Sequence, residues 1–204
     1  MKTAAAWSEH RVEPPRAGKR HGMGTLTALR NYDHRLTRRM AAWESDWARK
    51  LLPPVEEAAE HTKLWCAAAV IIAAGGGWRG RKAAAAGITA MAAAELLSNG
   101  VAKKLVERHR PPKEWIPHDD VEDRPDSSSF PSGHTAAAVA FTAAVAPAWP
   151  WAGTACALPT ALVAIERVHS GAHYPSDVAA GAAIGLAAAA LVRTAPRHIL
   201  RRLG

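Results

Sequence analysis

The sequence predicts an all-α fold, a membrane-embedded helical bundle of about five spans with an N-terminal amphipathic interfacial helix. Three observations predict it. Alanine dominates a chain of 204 residues that is 49% apolar, and alanine favours helix because it loses no side-chain entropy on ordering. With two Phe and two Tyr, the alternation of β-branched and aromatic residues that marks strands is nearly absent. Finally, apolar runs of about 15 to 20 residues recur between charged stretches.

Residues 1–23 are polar, basic and broken by Pro14 and Pro15, the composition of a mobile tail. Residues 24–54 hold an amphipathic helix: Leu26, Leu29, Leu36, Met40, Trp43 and Trp47 recur at three- and four-residue steps. It either lies in a membrane interface, with Arg35, Arg38 and Arg39 toward headgroups, or packs on the rest of the protein. Pro53 and Pro54 are expected to end it. Residues 55–204 form the main domain, with apolar helices expected at Leu64–Trp78, Ala83–Ala102, His134–Ala148, Trp151–Ile165 and Val178–Val192. A bilayer core of roughly 30 Å takes about 20 residues, so these are short spans, and a soluble bundle is the competing reading. Trp65, Trp78, Trp149 and Trp151 at segment ends resemble an aromatic belt. Abundant Gly and Ala allow close packing in lipid. Both favour a multi-pass protein of the cell membrane.

A formal charge of +8 suits nucleic acid, an acidic membrane surface or a phosphorylated substrate. No groove-reading helix, zinc-finger spacing or RNA-binding aromatic motif accompanies it, so nucleic acid is set aside. Cys66 and Cys156 lie in apolar runs without metal-ligand spacing and read as buried small hydrophobes.

Two polar loops, 103–133 and 166–177, emerge on one face if the helices alternate. The first runs from Lys103 to Arg110 and Pro111 and closes on Pro131, Ser132, Gly133 and His134; the second carries Arg167, His173 and Asp177. Each alone has a plain reading. Ser132 before a helix is often only an N-cap, and a Lys–Arg pair is often a solvated face. Together they describe a site. Lys103, Arg110 and Arg167 would surround a dianion with fixed donors. Ser132 and Gly133 open a helix whose first N–H groups favour an anion. Two histidines suit a two-step displacement, one attacking phosphorus and the other protonating the leaving oxygen. Asp177, four residues beyond His173, is spaced to accept a hydrogen bond from one imidazole nitrogen and orient the other.

Lys-x6-Arg-Pro, Pro-Ser-Gly-His and Arg-x5-His-x3-Asp, all present in order over about residues 60–195, resemble the three-part signature of the type 2 phosphatidic acid phosphatase superfamily. The resemblance implies a metal-independent lipid phosphate phosphatase without cofactor, acting on a substrate such as phosphatidate, phosphatidylglycerophosphate or a polyprenyl phosphate or diphosphate. It makes His173 the nucleophile, Asp177 its partner, and His134 the general acid and later base. Lys103, Arg110, Ser132, Gly133 and Arg167 would bind phosphate. A peripheral or soluble phosphatase of small phosphomonoesters, and a non-catalytic lipid-binding relative, are the alternatives; self-association is left open. This chain departs from the pattern at Glu166, where the family usually has Ser: the carboxylate either pairs with Arg167 and weakens phosphate binding, or points away. Membrane members typically have six spans, and five are read here. Literal use of the positive-inside rule puts the loops in the cytosol, whereas the resemblance implies an outward-facing site.

Two further patterns are set aside. Gly75-x-Gly77-x-x-Gly80 matches a dinucleotide fingerprint but follows a helical run instead of a strand. Asp119, Asp120 and Asp123 read as a solvated loop, and His109, His118 and His169 as bystanders.

Overall fold

The structure, a computed structural model, describes the backbone of residues 20–117 and 126–203, and their side chains except at 20–23, 61 and 195–203. Expectations for most of the tail, and for Asp119, Asp120, Asp123 and His118, lie outside the described residues. The chain divides into two compact units at Tyr32/Asp33, and the second contains the helical bundle and every motif residue.

All regular structure among the described residues is helical. Helix α1 (Arg20–Ala41) gives way to α2 (Asp46–Ala59), and a 3₁₀ turn leads to α3 (Lys63–Gly75). Helix α4 (Gly77–Glu95) runs on through a π-helical stretch, Leu96–Ala102, into the single turn α5 (Lys103–Leu105). After the long loop come α6 (Gly133–Val145), α7 (Pro150–His169) and α8 (Pro175–Leu203). The five apolar segments read from the sequence thus correspond to α3, α4 with its π-helical extension, α6, α7 and α8.

Where the amphipathic helix was expected to be continuous to Pro53, the chain breaks at residues 42–45 instead. Ser45 caps the new helix, its Oγ accepting from the Ala48 amide at 3.3 Å, and the orphan amide so satisfied makes this a natural start. Pro53 and Pro54 lie inside α2. Proline removes a helical donor and crowds the carbonyl four residues back; here those carbonyls belong to the exposed Arg49 and Lys50, where water can serve them. The inward face of α1 also differs from the apolar stripe: Asp33, Thr37 and Ala41 are the buried positions.

Helix α6 is the hub, packed against α4, α7 and α8. Its small residues Ala136, Ala140 and Ala144 meet Ala90, Ala94, Ala188 and Ala189 in one layer. The α6–α8 approach is close because Gly181 and Gly185 face it. A Cβ at Gly181 would stand 2.4 Å from the Ser132 carbonyl, and one at Gly185 2.6 Å from that of Ala136. A second layer gathers Trp65, Phe141, Met91, Val145 and Val163. Trp65 is therefore core, its ring 5.5 Å from Phe141, and not part of an aromatic belt; Trp78 and Trp151 are exposed. Gly80 belongs to packing, since a Cβ there would lie 2.1 Å from the Ile72 carbonyl. Cys156 is buried as expected, but Cys66 is exposed, because α3 turns Cys66, Val70 and Ile71 outward. The span Pro175–Thr194 is long and apolar enough to cross a membrane, while α3 and α6 are shorter apolar helices.

Candidate active site

The loop from α7 to α8 brings two of the three motif segments together. Gly171 takes φ 64°, a left-handed conformation that only glycine adopts without strain. The chain reverses there, and the His173 amide donates to the Arg167 carbonyl at 2.9 Å. The Ser132 amide donates to the Asp177 carbonyl at 3.0 Å, which ties the start of α6 to the start of α8. Lys103, Arg110, Gly133, His134, Arg167 and His173 consequently line one cavity of about 480 Å³.

His173 is 3% exposed, and its Nδ1 lies 2.6 Å from the Ser129 carbonyl. A carbonyl can only accept, so Nδ1 carries the proton and the lone pair is left on Nε2. Burial, and then the positive charge of Arg110, hold this imidazole well below the usual histidine range. That direction favours the neutral imidazole, with its lone pair on Nε2. Asp177 does not orient it directly: its Oδ2 stands 4.0 Å from Nδ1 and accepts instead from the Tyr174 amide at 2.8 Å. The direct hydrogen bond runs from Nδ1–H to the Ser129 carbonyl, and Asp177 stands one step behind, against the Ser129 side chain.

Asp177 is itself held by Arg108, a residue no motif marks. Its Nη1 donates to Asp177 Oδ1 at 2.5 Å and to Ser176 Oγ at 2.7 Å, its Nη2 to Asp33 Oδ2 at 2.7 Å. Its guanidinium also stacks over Tyr174 at 4.2 Å. Asp33 accepts from the Ser176 amide at 3.0 Å as well, so α1 buttresses the start of α8.

Ser132 shows the capping role that its position predicts. It is the N-cap of α6, its Oγ accepting from the Thr135 amide at 3.4 Å, and it is absent from the cavity wall. Gly133 is on that wall, where a Cβ would meet Asn99 Oδ1 at 2.8 Å. Arg110 is steadied by the Ala172 carbonyl at 2.7 Å. Burial, and then Arg110, lower the pKa of Lys103. Of the bystanders, His169 meets the Trp43 carbonyl at 3.3 Å, and His109 lines an adjoining cavity that shares Asn99, Lys103 and Arg110 with the first.

Glu166 pairs with Arg167, its Oε2 accepting from Nε, while Glu56 on α2 accepts from Nη2 at 2.5 Å. Arg167 is thus held between two carboxylates. Burial pushes the Glu166 carboxyl up to about 7, against the pull of Arg167 and with a further push from Glu56. A carboxyl raised in the folded state stabilises the fold below its unfolded pKa near 4.5, and that contribution is lost as pH rises through about 7. Thermal melts of Glu166→Gln should therefore show a smaller fall in Tm than wild type between these limits; parallel curves would contradict the buried protonated carboxyl.

The same bundle is seen in two solved proteins. One is the transmembrane PAP2 type phosphatidylglycerolphosphate phosphatase from Bacillus subtilis, with a TM-score of 0.65 and 21% identity over 84% of this chain and 88% of that one. The other is LpxE of Aquifex aeolicus, with a TM-score of 0.63 and 20% identity over 78% of this chain and 93% of that one. They define the class by fold. The PAP2 superfamily model matches residues 83–200, and this chain belongs to that superfamily. Among curated relatives, decaprenylphosphoryl-5-phosphoribose phosphatase of Mycobacterium tuberculosis (strain CDC 1551 / Oshkosh) is 39% identical over 93 residues, 44% of this chain and 49% of that protein. Lipid A 1-phosphatase of Rhizobium etli (strain ATCC 51251 / DSM 11541 / JCM 21823 / NBRC 15573 / CFN 42) is 50% identical over 60 residues, 28% of this chain and 25% of that protein. The chain thus spans about half the length of the first and a quarter of the second.

Proposed function

We propose that the protein is a membrane-embedded lipid phosphate phosphatase that works without a metal, through a phosphohistidine. The observation that carries the proposal is the meeting of His134, His173, Lys103, Arg110 and Arg167 around one cavity. Nε2 of His173 attacks phosphorus, the bond to the alcohol oxygen breaks, and His134 delivers a proton to that oxygen. Neutral His134 then takes a proton from water, whose oxygen attacks the phosphohistidine and releases inorganic phosphate. Lys103, Arg110, Arg167 and the Gly133 amide at the start of α6 stabilise the charge that builds on the phosphoryl oxygens, the role a cation would fill elsewhere.

A lipid substrate is supported by the outward apolar surface. Val70, Ile71, Leu158, Leu186 and Leu191 are all exposed, and large apolar side chains turned outward suit contact with lipid. Helix α8 crosses the bilayer, α3, α4, α6 and the part of α7 before Glu166 are the shorter spans around it, and α1 and α2 lie at the interface. The two curated relatives are named decaprenylphosphoryl-5-phosphoribose phosphatase and lipid A 1-phosphatase, so the substrates those names give are worth testing beside phosphatidate and polyprenyl phosphates. The test is phosphate release by purified protein in detergent, with vanadate and with chelator. Turnover that vanadate inhibits and chelator spares is expected. Background rates on every lipid phosphate would overturn the proposal and leave a lipid-binding relative; recovery of the active protein without detergent would leave a peripheral phosphatase.

A further inference from the structure

The cavity wall is not purely cationic. Glu56, Glu60 and Glu95 share it with Lys103, Arg110 and Arg167, so its formal charge cancels where a phosphate needs an excess of positive charge. Glu56 is set apart by what it touches. From α2, 111 residues away in sequence, its Oε1 accepts from Arg167 Nη2 at 2.5 Å, whereas Glu60 faces Lys63 at 4.0 Å.

Arg167 therefore meets two carboxylates, Glu166 on Nε and Glu56 on Nη2. A phosphate dianion that approaches this guanidinium finds its charge already answered, and gains the full interaction only if one carboxylate gives way. The two are not equally able to do so. The Glu166 side chain is 2% exposed and has no room to turn. That of Glu56 is 34% exposed and can swing into water, where a carboxylate is well solvated. Pro53 and Pro54 also remove two helical donors from the turn before it, which leaves that part of α2 freer to yield. Burial raises the Glu166 carboxyl to about 7, so near neutrality it is partly protonated and Glu56 carries the firmer negative charge against Arg167.

From this we infer that Glu56 is a resident competitor for phosphate: it holds Arg167 between turnovers, and the phosphoryl group of the substrate takes the guanidinium from it. Glu56 thereby sets the affinity of the site for substrate and product alike. Inorganic phosphate has no lipid part to hold it, so the returning carboxylate helps it to leave. The inference rests on the reading of Arg167 as a phosphate ligand and adds the residue that tunes it.

The test is calorimetry of inorganic phosphate binding to the full protein in detergent. An ionic strength of about 0.15 M largely screens charges more than roughly 8 Å apart. Glu56→Gln keeps the size and an accepting oxygen but removes the charge. It should bind phosphate about tenfold more tightly than wild type, because the competing state loses a charge-assisted hydrogen bond. Glu56→Ala, which removes the contact altogether, should gain at least as much. Glu95→Gln, on the same wall, should gain about twofold or less. Equal gains at positions 56 and 95 would overturn the proposal, since wall charge and not the grip on Arg167 would then be responsible. Weaker binding in either Glu56 variant would overturn it as well, because Glu56 would then be positioning Arg167 for phosphate. So would affinities unchanged from wild type, or no measurable binding in any of these proteins. Turnover is read separately. If no lipid phosphate is hydrolysed while both Glu56 variants bind phosphate more tightly, the phosphatase reading fails and the competition stands.

Discussion

Replacing His173 with Ala is expected to lower phosphate release on the order of 10⁴-fold or more, because the variant loses the only route to a covalent intermediate. Quenching wild-type protein during turnover of a labelled lipid phosphate should trap a phosphoramidate, stable in base and labile in acid, which His173→Ala lacks. The structure adds a condition on pH. With the imidazole held neutral by burial and nearby cations, the acid limb of the wild-type kcat/KM profile should fall below the usual histidine pKa near 6.5. His134→Ala should cost about 10²–10⁴-fold on an alkyl ester and much less on an aryl ester, whose leaving oxygen needs no proton. A His173→Ala variant with most of its turnover, or equal losses on both esters in His134→Ala, would refute the assigned roles.

The second large effect is on stability. Arg108→Met should destabilise the fold by about 3–5 kcal/mol, the cost of removing one partner from a buried ion pair. The side chains of Asp33 and Asp177 are 1% and 0% exposed, and both would be left as buried charges without their guanidinium. For a chain of this size that is a drop of roughly 10 °C or more in Tm. Asp33→Asn in the same background should restore part of it, since one stranded charge is then gone. A Tm within a degree of wild type would show that the network carries no weight.

Legibility in the sequence divides by range. Helices α3, α4, α6, α7 and α8 were legible because alanine runs and polar breaks are local signals. That the motif histidines and basic residues meet at one cavity was legible because the motifs keep their spacing. Arg108 was not, because its partners Asp33 and Asp177 lie 75 and 69 residues away and nothing local marks such a meeting. Glu56 and Glu95 sit in ordinary helical surroundings and line the cavity only once α2 packs on α7 and α4 on α6. The break at residues 42–45 was hidden because Pro53 and Pro54 looked like the stronger stop, while the deciding signal was the capping hydroxyl of Ser45. At Ser132 the motif offered two functions, and the structure displays the local one, with the hydroxyl capping the helix it begins.

The tie between Ser132 and Asp177, backed by Gly181 and Gly185 against α6, has an evolutionary consequence. It welds His134 and His173 into one rigid block that tolerates little drift. The opposite bank, carried by α2 and α4, holds no reacting atom and is free to vary. Relatives that share this chemistry but accept different headgroups should therefore differ first at positions 56, 60, 95 and 99, and hardly at all along the α6–α8 seam.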